Sequence, residues 1–203
     1  MAFKENIEKL IPEPGCFIVF KEKGNQSSPK TESRKIKIKK EAKKSKNAYE
    51  VFSNSKGNSA DLLREAELLL DNGFYARAVA LAIMSYEELG KSQIAADFFS
   101  GILPEDEYKR AFKTHKKTSY ASRHAAIGSH EKIKYGLFID DNIARELELL
   151  RQSAFYVDEA NNPSEKFCKE DAEFIIQKVK SHIEAIEHAE WLNQRIGSKA
   201  LFK

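Results

Sequence analysis

Residues 78–84, AVALAIM, are apolar without interruption, and Glu87, Glu88 and Lys91 follow within the next two turns. A helix that is apolar around its whole circumference belongs at the centre of a domain, with other helices on every side. Charges on such a helix are partly withdrawn from water, and an unpaired buried charge costs several kcal/mol. The segment therefore demands both a surrounding bundle and complementary charges from other helices. Sparse glycine (9) and proline (5) in 203 residues also disfavour a turn-rich β architecture. The fold expected is mainly α: an up-and-down bundle of about five helices with a basic N-terminal extension that includes a small β-hairpin or is disordered.

Apolar spacing and breakers place the helices. The first runs over 60–71, with Ser59 as N-cap and Asn72-Gly73 as its stop. The second covers 74–99, ended by Gly101 and Pro104. The third extends from 105 to about Gly128, the fourth over 141–158 until Asn161-Asn162-Pro163, and the fifth over 167–195. Short connections between them favour antiparallel neighbours. The first two helices look like one tetratricopeptide unit, but no second copy follows, so a peptide-binding repeat array is disfavoured.

Residues 1–57 differ from the helical domain expected over 58–203. Between Lys21 and Lys46 there are eleven Lys/Arg and three Glu, which leaves 23 basic and 28 acidic groups elsewhere. The basic character thus belongs to one segment. Lys35, Lys37, Lys39, Lys40, Lys43 and Lys44 are its candidate nucleic-acid contacts, and a solvated linker is the competing reading. "GCFIVFKEKG" and "RKIKIKKE" have the alternation of two hairpin strands around a turn-rich "GNQSSPKTES". "NSKGNS", residues 54–59, reads as a boundary.

Cys16 and Cys168 are far apart and form no metal-type pair. Two reduced thiols, no signal peptide and no apolar run near the ~20 residues of a membrane helix lead to a cytoplasmic expectation. No cofactor is expected. A di-iron bundle needs Glu-x-x-His pairs, and here Glu88 is followed by Lys91.

The partners for the charged helix are sought in the third and fourth helices. Arg151 lies between Leu147 and Phe155 on an apolar stripe, with Asp158 seven residues on. His115 aligns with Tyr108, Ala111, Phe112, Ser119 and Ser122, with Lys116 beside it. Three acids (Glu87, Glu88, Asp158) then balance three bases (Lys91, Lys116, Arg151), with a histidine among them. A surface Glu87–Lys91 pair, a hydrogen-bonded core histidine and a structural Arg151–Asp158 pair are the plainer readings of the same residues.

"NGFYARAVALAIMSYEELGKSQ", "HKK" and "LRQSAFYVD" together resemble the signature of AbiV-type abortive infection proteins of bacteria over roughly residues 58–195. The resemblance implies a phage-defence protein that blocks phage gene expression, and kinship with the all-helical HEPN superfamily. Many HEPN proteins are dimeric, metal-independent ribonucleases with an Arg-x4–6-His motif. In "RHAAIGSH" that motif would fall on Arg123 and His130, with His124 as the polar residue and Gly128 interrupting the helix. Otherwise His115, Arg151, Glu87 and Lys91 would form the catalytic set, supported by Glu88, Lys116, Tyr156 and Asp158. The partners expected are a second copy of the chain, a phage-encoded trigger or target, and RNA or the ribosome. A non-enzymatic module that captures a phage or host protein is the alternative.

Overall fold

The computed structural model describes residues 2–11, 33–99, 103–113 and 141–191. Among them are seven helices and no strand: α1 (Ala2–Leu10), α2 (Ser33–Asp71), α3 (Tyr75–Phe99), α4 (Glu105–Lys113), α5 (Asp141–Phe155), α6 (Pro163–Lys166) and α7 (Lys169–Trp191). The helical-bundle expectation holds. No helix among the described residues is long and apolar enough to cross a membrane.

The frame is the antiparallel pair of α2 and α3, the most extensive contact between elements. Its turn is built by Asn72-Gly73. Phe74 donates its N–H to Leu69 O at 2.9 Å, and Gly73 donates to Leu70 O at 3.0 Å. These two bonds satisfy carbonyls that the helix end would otherwise leave open. They require a left-handed residue, and Gly73 has φ +78°. Further along the pair, Ser59 and Ser85 are fully buried and exchange hydrogen bonds between α2 and α3. The Ser59 hydroxyl donates to Ser85 O at 2.8 Å, and the Ser85 hydroxyl donates to Ser59 O at 2.7 Å. Small side chains at both positions let the backbones come close enough for this exchange.

α3 is buried along most of its length, from Ala78 to Asp97. Around its first half, α2 contributes Leu63 and Ala66, α5 contributes Leu147 and Ala154, and α7 contributes Ile175, Val179, Ile183 and Ile186. Its second half is covered by α4, where the Phe98 and Tyr108 rings stack at 4.3 Å. Burial raises the pKa of Tyr108, so its phenol stays neutral.

Several expectations about the N-terminal region are corrected. Residues 34–41, expected as one hairpin strand, lie inside α2. The alternation of Lys and Ile there is short, and the Lys/Ala-rich surroundings favour helix. The other expected strand, 15–24, lies outside the described residues. Ser59 is not an N-cap, because α2 runs unbroken through residues 54–59 and across the boundary expected at 57/58. Phe52, Ser55 and Ser59 are buried on either side of Gly57 and hold that stretch in place, which offsets the single glycine. Residues 2–11 are not an extension apart from the bundle. Phe3, Ile7, Leu10 and Ile11 fall at i, i+4, i+7 and i+8, and this stripe joins the main core against α5 and α7.

Later boundaries also shift. α5 ends at Phe155 rather than 158. Pro163 opens α6 instead of merely stopping a helix, since proline suits a first turn whose N–H groups have no partner. α7 begins at Lys169 and is described to Trp191. The third predicted helix is described as α4 to Lys113, and its remainder lies outside the described residues.

The two glycines of the α2–α3 hairpin should respond oppositely to alanine. Gly57 is helical and a Cβ there meets nothing within 4 Å. Gly57→Ala should raise unfolding free energy by about 0.5–1 kcal/mol. Gly73→Ala should lower it by roughly 1–2 kcal/mol, because φ at this position is +78°. Urea denaturation of the two variants checks this, and a destabilised Gly57→Ala would contradict a continuous α2.

Candidate functional site

The charged end of α3 meets α5. Leu147, Arg151 and Ala154 lie at i, i+4 and i+7, and Leu147 and Ala154 are buried in the core. Arg151 is therefore carried inward on the stripe that docks α5. Its Nε lies 3.7 Å from Glu87 Oε1, so an ion pair crosses from α5 to α3. Within α5, Nε donates to Glu148 Oε2 at 3.0 Å, and Nη2 donates to both Glu148 oxygens at 2.6 Å. The side chains of Arg151, Glu87 and Glu148 are only 20%, 15% and 13% exposed. This environment is poorly hydrated, so charge interactions are stronger than at an open surface.

Burial works against the Arg151 charge, but the hydrogen bond from Glu148 and the fields of Glu87 and Glu148 outweigh it. The guanidinium pKa is raised, and Arg151 is a fixed cation. Nε and Nη2 are directed at Glu148, and Nη1 carries the two remaining N–H donors of the guanidinium.

Lys91 pairs with Glu88 through a direct Nζ–carboxylate contact one turn away on α3. It stands within the same charged turn as Glu87 and satisfies the neighbouring acid. Arg151 thus engages two carboxylates, Glu87 and Glu148, while Lys91 and Glu88 form a separate pair on α3.

The other predicted site residues are distributed differently. Asp158 is a correction: it is exposed and lies beyond the end of α5. Its carboxylate accepts from Ala160 N at 2.8 Å, and its backbone pairs with Asn161 in a tight turn. Aspartate is suited to this local task, so its carboxylate supports the turn rather than the cluster. Tyr156 is 65% exposed and Phe155 38%, so the apolar stripe of α5 does not extend as far as expected. Asn161 fixes this corner by donating to Ser153 O at 2.8 Å and Tyr156 O at 2.6 Å. Lys35, Lys37, Lys39, Lys40, Lys43 and Lys44 all fall in the first part of α2. His115, Lys116, Arg123, His124 and His130 lie outside the described residues.

Two inward polar residues were not singled out from the sequence, one in the charged group and one in the core. Glu148 is the closest partner of Arg151, and the i,i+3 spacing was a readable signal. His182 is 1% exposed on α7 and meets the buried Tyr86 ring of α3 edge-on at 5.3 Å. Its place among Ile175, Val179 and Ile186 at helical spacing was equally readable. Among the described residues, no group of three or more His, Cys, Asp or Glu is arranged to hold a metal ion.

A protein-family model for the HEPN domain of AbiV, described as AbiV, matches residues 47–184. The matched range begins within α2, includes α3 and α5, and ends within α7 at residue 184. No curated protein and no solved structure matches the chain.

The short, multiply bonded Arg151–Glu148 contact should carry more energy than the 3.7 Å Arg151–Glu87 contact. Double-mutant cycles with Arg151→Met, Glu148→Gln and Glu87→Gln test the order. We expect a coupling of roughly 1–3 kcal/mol for the Glu148 pair and less than about 1 kcal/mol for the Glu87 pair. Equal couplings read from urea unfolding would show that the cross-helix pair matters as much as the local one.

Proposed function

The chain belongs to the AbiV-type HEPN family and so to abortive infection, a form of phage defence, and on that basis we propose that it blocks phage gene expression at RNA or translation. The reaction assigned to it is metal-independent RNA cleavage. The supporting observation is the convergence of Glu87, Glu148 and Arg151 from α3 and α5 in a poorly hydrated cluster.

Such a cluster supplies much of what phosphodiester transfer needs. A base removes the proton of an RNA 2′-hydroxyl, the oxygen attacks the adjacent phosphorus, and the 5′-oxygen departs with a proton from an acid. The products are a 2′,3′-cyclic phosphate and a 5′-hydroxyl. His115 is assigned the proton transfers, since imidazole exchanges protons near neutral pH. Arg151 is assigned the phosphate, through the Nη1 donors that Glu148 does not use, and it stabilises the developing negative charge. Glu148 and Glu87 set the guanidinium plane. Lys91 and Lys116 add positive charge, with Glu88 holding Lys91. Arg123 and His130 form the alternative catalytic pair in the same reading. The first part of α2, with its lysines, contacts RNA or the ribosome, and the active form is a homodimer triggered by a phage-encoded protein.

A second reading has its own observation. Phe155, Tyr156 and Val157 form an exposed apolar corner at the end of α5, held by Asn161 and the Asp158 turn. In this reading the protein captures a phage or host protein there without catalysis, and the Arg151 cluster is structural.

Phage challenge of cells expressing the wild type, His115→Ala or Arg151→Lys, with total RNA examined in parallel, distinguishes the readings. The catalytic reading expects both variants to stay folded, to lose protection by at least ~10²-fold in plaque count, and to leave RNA intact. Full protection by a folded His115→Ala variant would leave the binding reading standing.

A further inference from the structure

Ser59 faces Ser85, and the Tyr49 ring lies 5.7 Å from the Phe99 ring. These two contacts fix the register of the hairpin: the last residue of α3 is level with Tyr49. Residues 33–46 of α2 therefore continue past the end of α3 by about 21 Å at 1.5 Å per residue. Among the described residues, the extensive contacts of α2 are with α3 and α7. This overhang carries eight basic residues (Arg34, Lys35, Lys37, Lys39, Lys40, Lys43, Lys44 and Lys46) against a single acid, Glu41.

As a helix, this segment works against its own charge. Lys35–Lys39, Lys39–Lys43 and Lys40–Lys44 are like-charge neighbours at i,i+4, and Arg34–Lys37, Lys37–Lys40, Lys40–Lys43 and Lys43–Lys46 are at i,i+3. Each pair is unfavourable. The first turn contains no acid, so the positive end of the helix dipole meets more positive charge. The segment is continuous with the buried half of α2, and an anionic partner would relieve the repulsion.

The distribution of register positions selects the anion. At 100° per residue the basic positions cover most of the helix circumference, and Ile36 and Ile38 fall on roughly opposite sides. No continuous apolar face exists to lie in a membrane. Residues 33–46 also contain no aromatic residue on which single-stranded bases could stack. A rod with positive charge on several sides suits a groove lined by phosphates on both flanks, and a major groove admits an α-helix.

We propose that residues 33–46 form a helical arm that docks between the phosphate rails of a double-helical nucleic acid. The proposal rests on the reading of these lysines as nucleic-acid contacts and specifies the partner as duplex. The Arg151 cluster plays no part in this contact.

The test is fluorescence anisotropy of the full chain with 20-base-pair duplex DNA, duplex RNA of matched sequence, the corresponding single strands, and anionic vesicles containing phosphatidylserine, across a salt series. Three proteins are compared: wild type, K35Q/K37Q/K39Q/K40Q/K43Q/K44Q, and Lys169→Gln. Glutamine preserves helix propensity, and circular dichroism checks the fold. The expected result is tighter binding to at least one duplex than to its single strands, with the DNA and RNA arms identifying which. The sixfold variant should bind on the order of 10²-fold or more weakly at low salt, and its salt dependence should become shallower by about one unit for each phosphate that the arm no longer neutralises. Lys169→Gln, which removes an exposed cation outside the arm, should bind the duplex as the wild type does, whether or not the catalytic reading survives. Single strands bound as tightly as duplexes, binding confined to vesicles, or an unchanged sixfold variant would each overturn the proposal.

Discussion

α3 is enclosed by other helices, and that enclosure sets the terms for the rest of the chain. Its small residues bring α2 close enough for the Ser59–Ser85 exchange, and its branched and aromatic residues fill the space toward α5 and α7. A helix so placed cannot leave its charges to bulk water. Glu87 is matched across the interface by Arg151, and Glu88 is matched along the helix by Lys91. Charge matching and bundle assembly are therefore coupled. Docking α5 through Leu147 and Ala154 also delivers Arg151.

The Arg151–Glu148 contact gives the cluster its geometry. A guanidinium engaged along one edge by a carboxylate is held in one plane, so its remaining edge presents donors in a defined direction. The same feature serves either functional reading. In a catalytic centre it preorganises a phosphate contact. In a structural role it holds Arg151 in place for its pair with Glu87, which links α5 to α3.

α2 links two environments with opposite demands. Its second half supplies Leu63, Ala66 and Ser59 to the core, where packing and hydrogen bonding hold the helix. Its first fourteen residues carry eight cations and one acid past the end of α3. α1, from the other side of the basic segment in sequence, returns to the core through Ile7, Leu10 and Ile11. The N-terminal region thus belongs partly to the bundle, although its composition suggested a separate extension.

Local sequence is enough to make the chain helical, to put residues 78–84 at its centre, and to turn one helix onto the next at Asn72-Gly73. These features are local: apolar periodicity, a left-handed glycine and sparse breakers act within a few residues. It also placed Arg151 on an inward stripe with Leu147, although Phe155, expected on the same stripe, is exposed and Ala154 takes its place. Tertiary structure alone decided that α2 passes through Gly57, since its buried neighbours against α3 outweigh the local break. It decided that Asp158 serves a turn and that Glu148 is the nearest partner of Arg151. Several acids on α3 and α5 offered the same charge to one guanidinium, and only packing distance selects among equal charges.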